Sequence, residues 1–198
     1  MISRFLQRLW PNPRVLLAFA LVLPLIAIGA FPARAAGLPS VKVDVDISTQ
    51  IVRVYVGDMR QPVHTWKTST ATSRHTDCTY GACRTPVGTF GVTAIHEMWY
   101  AAAKFKSVPM PHTVFWDNAG DGFHAAVGQK ELDMLGQEDS HGCARLLPDA
   151  AAELYGLVKQ HEVFTGRHDR WGHPVYVYPG VTIFIHGQSN DSAQIVRT

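Results

Sequence analysis

The chain has 198 residues, a formal net charge of +2, 46% hydrophobic and 17% charged residues. That composition excludes a disordered polar chain and gives the length of one domain plus an accessory segment. The charge is too small to mark a nucleic-acid binder, and several arginines fall in a leader-like segment.

The leader comes first. Arg4, Arg8 and Arg14 form a positive region, and Val15 to Ala30 is apolar apart from Pro24 and Gly29. Ala33-Arg34-Ala35 offers small residues where a cleavage site needs them. Residues 1–35 therefore read as a secretory signal peptide cut after Ala35 or Ala36. An uncleaved anchor is the rival, with an apolar run short of the roughly 20 residues a span needs. An exported destination follows, in the periplasm or cell-wall compartment of a bacterium, with membrane contact only through this segment before cleavage.

Residues 36–40 read as a linker. Val41, Val43, Val45 and Ile47 alternate with Lys42, Asp44 and Asp46, the pattern of a half-buried strand. Ile51 to Val56 is a second strand, and the turn between them predicts a hairpin. Val63 to Thr68 is a third strand, followed by a polar loop to Arg84. Cys78 and Cys83 lie in that loop, separated by four residues. Export favours a disulfide between them, which leaves Cys143 as a free thiol. The metal alternative, zinc on His75, Cys78 and Cys83, has no clear fourth ligand.

Thr85-Pro86-Val87-Gly88-Thr89-Phe90 is a turn followed by a strand from Phe90 through Ala94. Ile95 to Ala119 is rich in aromatics (Trp99, Tyr100, Phe105, Phe115, Trp116) that suit a core or a cleft wall. It also holds Met110-Pro111-His112. Asp117 to Gly122 is a loop, Phe123 to Val127 a short strand, and Gly128 to Asp139 a mixed polar stretch. After Pro148, which suits the first turn of a helix, Ala150, Leu154, Leu157 and Val158 make one apolar face. His161 to His173 reads as a loop. Val175–Tyr178 and Val181–Ile185, joined by Pro179-Gly180, read as a closing hairpin. The tail, 187–198, reads as loose. The result is a mainly β domain over 41–186 with one or two helices.

The chemistry concentrates in Ser140-His141-Gly142-Cys143-Ala144-Arg145. Cysteine reacts as the thiolate, and a neighbouring imidazole is expected to lower the thiol pKa. Gly142 permits a tight turn whose N–H groups suit an oxyanion. Two histidines compete as the base. His141 is two residues from Cys143, on the same face of an extended segment, and His124 lies on a neighbouring strand.

This motif resembles the signature of the L,D-transpeptidase catalytic domain (YkuD fold). So do the Thr85-Pro86-x-Gly88-x-Phe90 run and Met110-Pro111, although His112 stands where an aromatic is usual. The resemblance implies a β-sandwich-like fold with a helix after the motif. It implies Cys143 as the nucleophile and His124 as the acid/base, with the His124 ring held by the carbonyl of Ala125. His141 becomes an accessory group and Gly142 part of the oxyanion site. Ser140 is expected to order the motif on the substrate side. Arg145 either recognises a peptide carboxylate or makes a structural ion pair. One departure is Phe123-His124-Ala125 where the family reads Ile-His-Gly. That spelling recurs at Ile185-His186-Gly187, a decoy placed after the cysteine. The implied substrates are peptidoglycan stem peptides, processed through a cysteine acyl-enzyme with no metal or organic cofactor. A carboxypeptidase on the same fold and a non-catalytic wall-binding domain are the alternatives.

Overall fold

A computed structural model describes residues 37–75, 77–78 and 83–190. The predicted signal peptide, 1–35, and the end of the predicted tail, 191–198, lie outside these residues. Among the described residues no helix is long and apolar enough to cross a membrane.

The alternation in β1 (Val41–Asp46) buries Val41, Val43 and Val45 and leaves Lys42 exposed. An antiparallel hairpin joins it to β2 (Ile51–Val56). The Asp46 carboxylate holds the turn, accepting from the N–H groups of Ser48 at 3.0 Å and Thr49 at 3.3 Å. β3 (His64–Lys67) continues the sheet outward. On the other side β1 pairs in parallel with β11 (Val181–His186), which pairs antiparallel with β4 (Gly88–Phe90). The order is β3-β2-β1-β11-β4.

The second sheet carries the motif region. Its order is β5 (Ala94–Tyr100), β6 (Pro109–Phe115), β7 (Gly122–Ala125) and β8 (Ala144–Leu146), with β7 and β8 parallel. Gly122 is forced by close approach, since a Cβ there would lie 2.5 Å from the carbonyl oxygen of Val114 on β6. A short helix α1 (Gln129–Asp133) follows β7. Pro148 opens α2 (Pro148–Lys159), which buries Ala150, Ala151, Leu154 and Val158 against the second sheet. One core joins both sheets and α2, drawing on Val43, Val54 and Ile183 from the first sheet and Phe123, Ala144 and Leu146 from the second. The mainly β, sandwich-like fold expected from the sequence is the fold found.

Two expectations are corrected at the C-terminal side. His161 to His173 is not a loop, because it contains β9 (Val163–His168), paired with β10 (Pro174–Val177). β10 and β11 therefore do not form the closing hairpin, and β11 instead completes the first sheet beside β1. The β9–β10 ribbon is exposed on both faces, so its residues have no buried side to impose alternation. The start of the tail is not loose either. Gln188 N–H donates to Ser48 Oγ at 2.9 Å, and Ser189 Oγ and Asn190 N–H each donate to the Glu138 carboxylate at 2.7 Å.

Candidate active site

Parallel pairing of β7 with β8 decides the geometry. Its register sets Phe123 beside Ala144 and His124 beside Arg145. Cys143 immediately precedes β8, two residues from Arg145, so strand alternation turns it to the face that carries His124. The upstream histidine on β7 and the motif cysteine at the entry to β8 thus sit side by side on one sheet. The decoy His186 is on β11 in the other sheet, where its Nε2 lies 3.4 Å from Asp44 Oδ1.

His124 is buried, with 6% of its surface exposed. Its Nδ1 lies 2.9 Å from the carbonyl oxygen of Ala125. A carbonyl only accepts, so Nδ1 carries the proton and Nε2 keeps a free lone pair. Burial pulls the ring pKa down to about 4, outweighing the favourable Ala125 bond, and the Arg145 charge adds to the drop. His124 is a neutral imidazole of fixed tautomer, with Nε2 able to accept a proton.

Cys143 is the free cysteine and is partly exposed. Its Sγ faces the carbonyl oxygen of Gly120 at 3.8 Å. Burial first, and then the neighbouring Asp121 carboxyl, push the thiol up to about 12, against a smaller opposing pull from the N–H of Gly122. This corrects the expectation of a depressed thiol pKa. His124 is uncharged at neutral pH, so it supplies no positive field to offset desolvation. The resting pair is a neutral thiol and a neutral imidazole. Such a pair works by moving the S–H proton to Nε2 as the sulfur attacks, rather than by storing a thiolate.

The rest of the motif is wired into the protein. Ser140 Oγ donates to the carbonyl oxygen of Cys143 at 2.5 Å and accepts from the Gly142 N–H at 3.3 Å. Arg145 is 12% exposed at its side chain, and its Nη1 donates to Asp139 Oδ2 at 2.9 Å, with Glu131 4.0 Å from Nη2. Both side chains are thereby engaged internally, and of the two readings of Arg145 the ion pair is present. His141 stacks on His75, with ring centroids 4.0 Å apart, and its Nε2 lies 3.3 Å from Asp77 Oδ1. Burial and the adjacent His75 lower its pKa. Phe105 packs 4.8 Å from its ring. Cys78 and Cys83 form a disulfide with Cα atoms 5.3 Å apart, so both sulfurs that the zinc alternative required are bonded to each other.

Two residues of the site had no role in the sequence reading. Thr85 is buried and links the Thr-Pro-x-Gly-x-Phe run to the cysteine turn. Its Oγ1 donates to the Gly142 carbonyl oxygen at 2.7 Å and accepts from the Ala71 N–H at 3.0 Å. Thr85→Val keeps the shape and removes both bonds. It is expected to cost about 1–3 kcal/mol of stability and to lower turnover at the loosened turn, which thermal melts and acyl-transfer rates will check. The second is Asp121. A Cβ on Gly142 would lie 2.0 Å from Asp121 Oδ1, so the glycine makes room for this carboxyl. The glycine announced a close approach, but nothing in the sequence named what approaches.

The chain matches known proteins in family and fold. Residues 40–177 match the model of the L,D-transpeptidase catalytic domain, YkuD. Among solved structures, an L,D-transpeptidase from Mycobacterium smegmatis superposes with a TM-score of 0.54 at 20% identity, covering 75% of this chain and 59% of that one. One from Mycobacterium tuberculosis H37Rv gives 0.53 at 16% identity, over 75% and 58%. One from Stackebrandtia nassauensis gives 0.51 at 18%, over 77% and 58%. This chain thus spans about three fifths of the length of those proteins, and the likeness is one of fold. No curated protein sequence matches it. On the family match over residues 40–177, the chain belongs to the L,D-transpeptidase catalytic domain family.

Proposed function

We propose that this protein is a cysteine-dependent L,D-transpeptidase acting on peptidoglycan stem peptides, exported by the leader at 1–35. The observation that carries the reading is the His124 tautomer: Nδ1 is spent on Ala125, which leaves Nε2 as the base for a cysteine at the entry to the adjoining strand. Cys143 attacks the carbonyl of the third residue of a donor tetrapeptide while its proton passes to His124 Nε2. The Cys143 N–H, beside a Gly142 N–H tied to Ser140, is the oxyanion donor. Collapse expels the terminal D-Ala, which takes the proton from Nε2, and leaves a thioester on Cys143. An acceptor amine then attacks the thioester, and the sulfur departs and regains a proton. His141 shapes the field of the site, and Arg145 braces the strand through Asp139.

The mature protein incubated with tetrapeptide muropeptides should give 3→3 dimers and a transient acyl adduct on Cys143. Tripeptides without dimers would identify a carboxypeptidase. The absence of both an adduct and a product would leave a binding domain.

A further inference from the structure

Asp117 and Asp121 sit in one loop ahead of β7, and the fold treats them differently. Asp117 Oδ1 accepts three backbone N–H bonds, from Ala119 at 2.9 Å, Gly120 at 3.0 Å and Asp121 at 2.9 Å. It is a structural group that shapes the loop. The Asp121 carboxyl accepts no hydrogen bond among the described residues, and no cation there pairs with it. Arg145, whose charge is felt at Cys143, is committed to Asp139. Yet the carboxyl is partly buried and pressed into the space beside Gly142, close enough to Cys143 to raise its thiol pKa. A partly desolvated carboxyl without a partner costs stability, so a group that persists there at the nucleophile points to a ligand.

The reaction proposed above needs such a group. An amine acceptor arrives as an ammonium and must lose two protons on its way to an amide. His124 takes one at the moment of attack, having given its own to the departing D-Ala. The other must leave earlier, because an ammonium has no lone pair. We propose that Asp121 is a further catalytic residue, which binds the acceptor's ammonium beside the Cys143 thioester and takes its first proton. The inference rests on the transpeptidase reading. The step balances: the ammonium and the carboxylate become a free amine and a carboxylic acid. The amine then forms the C–N bond as the C–S bond breaks. Its second proton reaches the sulfur through His124, and the carboxylic acid returns its proton to solvent.

The surroundings suit this task. Burial and the like charge of Asp117 raise the Asp121 pKa to about 7, near the value at which a base is most useful at neutral pH. The groups that act on it are Asp117 on its own loop and, beside Gly142, the Cys143 thiol. A bound ammonium would add the positive charge that this set lacks, since His124 is neutral and Arg145 is already paired.

Asp121→Asn tests the proposal through the partition of the acyl-enzyme. Acceptor amines of the lysine type are cationic at neutral pH, whereas hydroxylamine is neutral. The variant should acylate Cys143 at no less than the wild-type rate. It should transfer the acyl group to a lysine-bearing tripeptide at least about 10-fold less often relative to hydrolysis. It should still transfer to hydroxylamine as the wild type does. Asp121→Ala should show the same defect, relieved by added acetate. Loss of transfer to both acceptors alike, or an unchanged partition, would overturn the proposal. Failure of the wild type to form any Cys143 adduct would instead refute the underlying transpeptidase reading.

Discussion

Cys143→Ala is expected to reduce acyl transfer by at least about 10³-fold and to remove the acyl adduct seen by intact-protein mass spectrometry. The size of the loss follows from the absence of a substitute. Ser140, the nearest hydroxyl in the motif, donates to the Cys143 carbonyl oxygen and accepts from the Gly142 N–H. It has no imidazole as partner there. Cys78 and Cys83 are joined to each other. The fold should survive the change, because an alanine occupies the same half-shielded position with less volume. The native thiol also makes a kinetic prediction. With its pKa raised to about 12 by burial and by Asp121, it should alkylate slowly at neutral pH and faster as the pH rises. Retained turnover in the alanine variant would move the nucleophile elsewhere.

His124→Gln is expected to lower turnover by about 10²–10⁴-fold, the range for removal of a general acid/base. The same variant should change the acid stability. Burial lowers the native ring pKa to about 4, against the ordinary imidazole value of 6.5 in the unfolded chain. Between these values the unfolded chain holds a proton that the native state excludes. Stability is therefore full above pH 6.5 and falls as the pH drops towards 4, by ~3 kcal/mol in all. Glutamine cannot titrate, so melting curves of the variant should lose this part of the acid slope, while its plateau gives the cost of the lost packing. A variant with wild-type turnover would remove His124 from the mechanism. A variant with an unaltered acid slope would mean that His124 is not buried in its neutral form.

These two effects depend on one arrangement, a neutral pair held ready. The Ala125 carbonyl fixes which nitrogen is free, and burial keeps that nitrogen unprotonated. The reactive state forms only when a substrate carbonyl takes up the electrons of the sulfur. A water-exposed thiolate, open to oxidants, is avoided.

The alternation at Val41 to Asp46, the turn before Ile51, Pro148 at the head of α2 and the spelling of the cysteine motif were all legible along the chain. Each is a local property, fixed by a period of two, by a fixed φ or by adjacent side chains. The same holds for the Cys78–Cys83 disulfide, which closes over four intervening residues. The tertiary structure alone decided what depends on contacts between distant segments. β11 found β1 rather than β10, and the exposed β9 took its strand form from its partner rather than from a buried face. The rise of the thiol pKa needed burial and a carboxyl from 22 positions upstream, and Thr85 reached Gly142 across 57. Electric fields and desolvation act through space, and sequence spacing carries no record of which groups the folded chain brings together.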